Sequence, residues 1–316
     1  MSWNFAVIGV AGFVAPRHLK AIRDTGNTLV AATDPHDSVG ILDRHSLGAR
    51  FFPEIERFDR HLEKLRRGPP EKRVHYISVC SPNYLHDAHV RLALRLGATA
   101  ICEKPLVINP WNLDQLEQLE AESSGRVFTV LQLRLHPAAL ELKRRLDAQP
   151  PGARHRVALT YITGRGQWYH VAWKGSVERS GGLGTNIGIH FFDLLVWLFG
   201  DVDASLVHLN EPKRMSGTLV LRRADVRWFL SVDPDDLPFR PEAGARLTHR
   251  SLTVDGSEVE MSEGFGELHT RVYEETLAGR GFGIEAARPS IELAYRIRTA
   301  AVTPAPADAH PLLLRR

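Results

Sequence analysis

Apolar residues in the first half of the chain fall in short unbroken runs. Residues 4–10, 29–33 (LVAAT), 74–80 (VHYISVC), 99–102 and 127–132 (VFTVLQ) are rich in Val, Ile and Ala, and polar or glycine-bearing turns interrupt them. Helix-period stretches lie between. One opens near Pro16, where a missing N–H costs nothing; one covers 85–96 and stops at Gly97; one is opened by Asn109-Pro110 and closed by Gly125. Continuous apolar strands separated by helices predict a mostly parallel sheet covered on both faces.

After the turn Gln149-Pro150-Pro151-Gly152 the pattern changes. Longer strands with polar alternation are expected at 155–163, 202–210, 218–221, 226–232, 250–254 and 258–261, which favours an antiparallel sheet. A strong helix is expected over 186–199, with further helices near 267–279 and 285–300. The stretch 303–316, rich in Pro and Ala, reads as a tail outside the core. The expected division is 1–125, 126–302 and the tail.

Composition narrows the class. The chain has 316 residues, 43% hydrophobic and 24% charged, which excludes a disordered chain, a collagen and a coiled coil. Its formal charge of +3 is too balanced for a dedicated nucleic-acid protein. Cys80 and Cys102 sit in apolar runs without CxxC or zinc spacing, so buried thiols are expected, with no metal and no disulfide scaffold. The apolar run 5–15 lacks the basic flank of a secretory signal, and neither it nor any other segment approaches a membrane span. A cytoplasmic protein is expected.

The turn after the first strand, Gly9-Val10-Ala11-Gly12-Phe13-Val14-Ala15, has the mechanics of a dinucleotide site. Small residues admit a pyrophosphate, and the following helix offers free N–H groups. The spacing is degenerate, because Ala11 and Val14 stand where GxGxxG wants glycine. Asp34 ends the second strand, placed to accept hydrogen bonds from an adenosine ribose. It favours NAD over NADP, and the competing reading is a turn cap before Pro35. Ser81-Pro82-Asn83 and Glu103-Lys104-Pro105 end two more strands, on the side where open parallel sheets bind ligands.

Glu103-Lys104-Pro105 after a degenerate glycine loop, with a later helix carrying Gly188-Ile189-His190-Phe191-Phe192-Asp193, resembles the Gfo/Idh/MocA oxidoreductase family. The match extends over nearly the whole chain. Segments 11–18, 37–40, 131–134, 161–166, 181–183, 186–190, 227–233 and 262–265 are similar to one subgroup. That subgroup oxidises the 3-hydroxyl of UDP-N-acetylglucosaminuronic acid with NAD, for bacterial surface polysaccharide such as O-antigen. The resemblance implies an α/β fold: an N-terminal Rossmann dinucleotide-binding domain, then a C-terminal α+β domain on an open, mostly antiparallel sheet used in dimer or tetramer contacts. It allows a cis Lys104–Pro105 bond. Some relatives reoxidise bound NADH with 2-oxoglutarate.

Oxidising a secondary alcohol needs a hydride acceptor and a proton acceptor. Lys104 and His190 are the expected catalytic pair. The expected cofactor residues are Gly9, Ala11, Gly12, Phe13, Val14, Asp34, Ser81, Asn83, His86, Glu103, Lys104 and Gln132. Arg134, Arg165 and Lys174 are candidate anion partners, with Arg165 between two glycines that suggest a backbone nest. Trp168 and Tyr169 are candidates for packing on a sugar or the nicotinamide. Asn186, His190 and Asp193 fall on one helix face, where Asn186 cannot accept a proton and Asp193 either orients His190 or pairs elsewhere. The competing functions are a dehydrogenase of another nucleotide sugar or polyol, and a non-enzymatic NAD-binding regulator.

Overall fold

The computed structural model describes residues 2–150, 152–240, 247–261 and 264–314, so Pro151 of the turn at 149–152 and Ser262-Glu263 of the segment 262–265 lie outside the described residues. The chain forms two compact units. The first is Met1–Gln132 with Gly266–Arg288; the second is Leu133–Phe265 with Pro289–Arg316.

The first unit is a six-stranded parallel sheet of β1 (Asn4–Ile8), β2 (Thr28–Thr33), β3 (Arg50–Phe52), β4 (Tyr76–Val79), β5 (Thr99–Cys102) and β6 (Val127–Thr129). Its order is β3-β2-β1-β4-β5-β6. This is the dinucleotide-fold order, with the reversal point between β1 and β4. Helices α1 (Ala15–Asp24), α2 (Ile55–Arg66), α3 (His86–Arg95) and α4 (Trp111–Glu122) connect the strands. The hydrophobic pattern did not reveal β3 or α2. A three-residue strand has no readable period, and α2 buries only Phe58 and Leu62 among charged neighbours. Strand β6 and the helix Leu268–Leu277 belong to this unit, against the expected boundary at 125. The helix packs on α1.

The second unit is a mixed sheet of β7 (His155–Thr163), β8 (Val202–Asn210), β9 (Arg214–Leu221), β10 (Ala224–Ser231), β11 (Thr248–Val254) and β12 (Ser257–Glu258). The order is β12-β11-β7-β10-β9-β8, antiparallel except where β7 meets β10. Strand β9 starts four residues earlier than its apolar run, because Arg214–Gly217 continue the pairing opposite Trp228–Ser231. Helices α5 (Pro137–Asp147), also unforeseen, and α6 (Ile189–Phe199) pack against each other. A π-helical stretch, Gly184–Gly188, leads into α6.

Two expectations need correction here. The described part of the stretch 303–316, residues 303–314, is not a tail outside the core, and Arg315-Arg316 lie outside the described residues. Thr303 N–H donates to the Val207 carbonyl (2.8 Å), and Ala309 and His310 are buried. His310 stacks on Phe229 and hydrogen-bonds Thr160, whose side chains share a sheet face. Second, Val177–Phe199 is helix long and apolar enough to cross a membrane, although 83% of its most apolar window is buried. That burial is what a core helix requires.

Candidate functional site

The glycine turn is built at the sheet's reversal point. Gly9 adopts φ +86°, and a Cβ there would stand 2.6 Å from Ser81 N and 2.7 Å from the Cys80 carbonyl carbon. Only glycine fits both demands. Gly12 lies nearly as close, its Cβ position 3.0 Å from the Gly9 oxygen. Asp34 closes the turn from β2: Oδ2 accepts the Ala11 N–H at 3.0 Å, and Oδ1 accepts the His36 N–H at 2.9 Å. It is therefore a turn cap and an anchor of the glycine loop together. Phe13 stands out at the tip, 83% exposed, with Val14 half-buried ahead of α1. Gln132, just after β6, has a buried side-chain oxygen with no partner among the described residues. An orphaned acceptor of this kind and a cradle that a Cβ would fill fit a dinucleotide and its carboxamide.

Other strand-end groups look inward. The His86 ring bridges two turns, with Nδ1 2.7 Å from the Pro105 carbonyl and Nε2 2.8 Å from the Ser81 carbonyl. Burial pushes its pKa down while the two carbonyls oppose that. The Ser81 hydroxyl meets His89 Nδ1 at 2.8 Å, and Asn83 is buried beside it. Glu103 Oε1 accepts from His18 Nε2 and from His269 Nε2, both at 3.0 Å. Thus the rings or carboxylate of His86 and Glu103, expected to meet the cofactor, are engaged within the protein. Lys104 follows, half-buried, with a cis bond to Pro105. The histidine pair escaped sequence reasoning, because His18 and His269 are separated by nearly the whole chain and share no motif.

In the second unit, Arg134 is not an uncommitted anion partner. Its Nε and Nη2 donate to the two carboxylate oxygens of Asp193, at 2.9 and 2.7 Å, with both residues buried. Burial pushes the Asp193 carboxyl up, but the bidentate geometry is that of an ion pair. Asp193 therefore serves Arg134, in place of the expected alternative of orienting His190. The backbone nest at Arg165 is also absent, because the N–H groups of Gly164 and Arg165 bond the carbonyls of Leu247 and Val232.

The side chains around Arg165 do assemble. Asn186 Nδ2 donates to the Tyr169 hydroxyl at 3.1 Å, both buried. Lys174 lies over the Trp173 ring at 4.4 Å and the Trp168 ring at 5.9 Å. Burial and the nearby Arg165 charge lower the Lys174 pKa. Neither cation has a carboxylate partner among the described residues, and Arg165 Nε is buried without an acceptor. Such cations fit an anionic ligand. Trp168 edges against Tyr169 and is 52% exposed. His190 is half-buried in the first turn of α6, four residues after Asn186.

A family model for oxidoreductases with an NAD-binding Rossmann fold matches residues 3–131, and one for the C-terminal alpha/beta domain of that family matches 155–222. The WlbA (WbpB) dehydrogenase of Thermus thermophilus, crystallised with NAD and alpha-ketoglutarate, is 51% identical over 98% of this chain and 99% of its own, with a TM-score of 0.91. Its complex with NAD and UDP-GlcNAcA gives 50% identity, the same coverage and a TM-score of 0.92. The putative oxidoreductase YteT of Bacillus subtilis is 26% identical over 52% of this chain, a region that spans 40% of YteT. With both domain models matched in order along one chain, the protein belongs to the Gfo/Idh/MocA oxidoreductase family.

Proposed function

We propose that the protein oxidises the 3-hydroxyl of UDP-N-acetylglucosaminuronic acid to the 3-keto sugar with NAD, in precursor synthesis for bacterial surface polysaccharide. The observation that carries this reading is the identity of about half of all residues with a dehydrogenase crystallised with NAD and that sugar nucleotide, over almost the full length of both chains. Arg165 and Lys174 support it, as cations without a carboxylate partner among the described residues, suited to a substrate bearing a diphosphate and a carboxylate.

The glycine turn, Asp34 and Gln132 would hold the dinucleotide, which supplies a hydride acceptor. The hydroxyl proton passes to one member of the Lys104 and His190 pair as the C3 hydride departs, so substrate loses one hydride and one proton. Asn186 holds the Tyr169 hydroxyl and takes no proton. Transfer of that hydride and a proton to 2-oxoglutarate would give 2-hydroxyglutarate and restore NAD. The complex of the Thermus protein with alpha-ketoglutarate favours this second step.

The test is mass spectrometry of products after adding the uronate, beside neutral UDP-N-acetylglucosamine. A keto product from the uronate, lost by about 10²–10⁴-fold in Lys104→Ala, is expected. Equal turnover of the neutral sugar would move the assignment to another nucleotide sugar. Tight NAD binding without turnover of any sugar would make the chain a regulator.

A further inference from the structure

Five buried side chains meet behind Lys104: Ser78 on β4, His18 on α1, Glu103 after β5, and His269 and Tyr273 on the 268–277 helix. Ser78 Oγ lies 2.5 Å from the Tyr273 hydroxyl, which lies 2.8 Å from His18 Nδ1. His18 Nε2 and His269 Nε2 converge on one oxygen of Glu103. An ionised carboxylate only accepts, so both Nε2 atoms carry hydrogen. His18 Nδ1 then accepts from Tyr273, which accepts from Ser78. Burial pushes the Glu103 carboxyl up, but the hydrogen bonds from His18 and His269 prevail and hold it well below the usual carboxylate range. The second oxygen, Oε2, accepts the backbone N–H of Lys104 at 3.3 Å. One carboxylate thereby joins the helix that follows the glycine turn to the residue that carries the ammonium group.

We propose that Glu103 is a positioning residue: gripped by His18 and His269, it holds the backbone of Lys104 and touches neither cofactor nor sugar. The proposal rests on the dehydrogenase reading of Lys104. The three converging atoms lie within 4.8 Å of one another, a spacing that a metal ion would also accept, so metal content belongs in the test.

The experiment compares His18→Gln, His18→Leu and Glu103→Gln with the wild type. Gln at 18 places an N–H donor where Nε2–H stood, and Leu does not. We expect NADH affinity, from fluorescence titration, within about threefold of wild type throughout, because only positioning changes. kcat stays within about threefold in His18→Gln and falls about tenfold or more in His18→Leu and Glu103→Gln, with KM for the sugar unchanged. Glu103→Gln keeps the side-chain volume and carries the comparison if the Leu variant fails to fold. Equal kcat in the Gln and Leu variants overturns the proposal. So does a large loss of NADH affinity in Glu103→Gln at wild-type kcat, or one equivalent of bound metal by elemental analysis. If the wild type oxidises no sugar, the dehydrogenase reading falls separately. Labelling of Lys104 by an amine-directed reagent, read by peptide mass spectrometry with NADH present, then decides: a rate at least about fivefold faster in Glu103→Gln supports positioning, and an unchanged rate refutes it.

Discussion

The turn at Glu103 in the first unit and the segment around Arg165 in the second both carry charged groups, yet they treat charge in opposite ways. Glu103 is buried and supplied with donors from two histidines and a backbone N–H. Arg165 and Lys174 are half-buried and lack carboxylate partners among the described residues. A charge saturated by its own protein fixes geometry, whereas one left wanting is available to a ligand. The contrast separates supporting groups from receiving groups without any ligand present. It also reassigns Arg134, whose guanidinium is as fully engaged as the Glu103 carboxylate.

The largest expected effect follows from that reassignment. If Arg134 is structural, Asp193→Ala leaves a buried guanidinium without its counter-charge and costs about 3–5 kcal/mol of stability. Chemical denaturation should show it as a lower midpoint. A variant of wild-type stability that has lost sugar affinity would place Arg134 among the receiving groups instead, and the contrast would lose one of its terms.

The next effect concerns a saturated group whose saturation depends on protonation. His310 Nδ1 accepts the Leu312 N–H at 3.2 Å, so the ring is neutral, with Nε2–H facing Thr160 Oγ1. Burial and the Arg227 charge lower its pKa to about 4. The folded pKa lies below the unfolded value, so stability is fully present above about pH 6.5 and is lost as pH falls through about 4. The difference corresponds to roughly 3 kcal/mol. Hydrogen-exchange protection across 303–314, taken relative to the intrinsic exchange rate at each pH, should fall on going from pH 7 to 4.5. His310→Gln, which cannot titrate, should remove that dependence. An acid response identical in both proteins would assign it to other groups.

Much of this division could be read from the residues before any coordinates, for physical reasons that also explain the failures. Parallel strands leave unbroken apolar runs and end in polar turns, so β1, β2, β4 and β5 and the chemistry at their ends were legible. The turn at Gly9 was legible because left-handed backbone demands glycine. What stayed hidden was long-range pairing. Nothing local marks Asp193 as the partner of Arg134, or His269 as a partner of Glu103, because those contacts exist only after the chain has folded. The burial of 303–314 stayed hidden for a related reason. Its composition is that of a tail, and its burial depends on a sheet face supplied by Thr160 and Phe229.

The smallest effect tests the receiving side directly. Lys174→Ala should raise KM for the uronate about tenfold, near 1.4 kcal/mol, with kcat little changed, because an anion partner binds ground and transition states alike. The wild type adds a pH limb. Burial and the Arg165 charge depress the Lys174 pKa, so its ammonium form is lost at a lower pH than that of an exposed lysine. KM for the uronate should therefore climb as pH rises through that depressed value, before exposed lysines deprotonate. Arg165→Gln removes one cause of the depression, so the limb should move to higher pH even as overall affinity falls. That paired result requires the two charges to lie close enough to act on each other. A limb that stays in place after Arg165→Gln would mean that burial alone sets the Lys174 titration, and the two cations would act on the ligand independently.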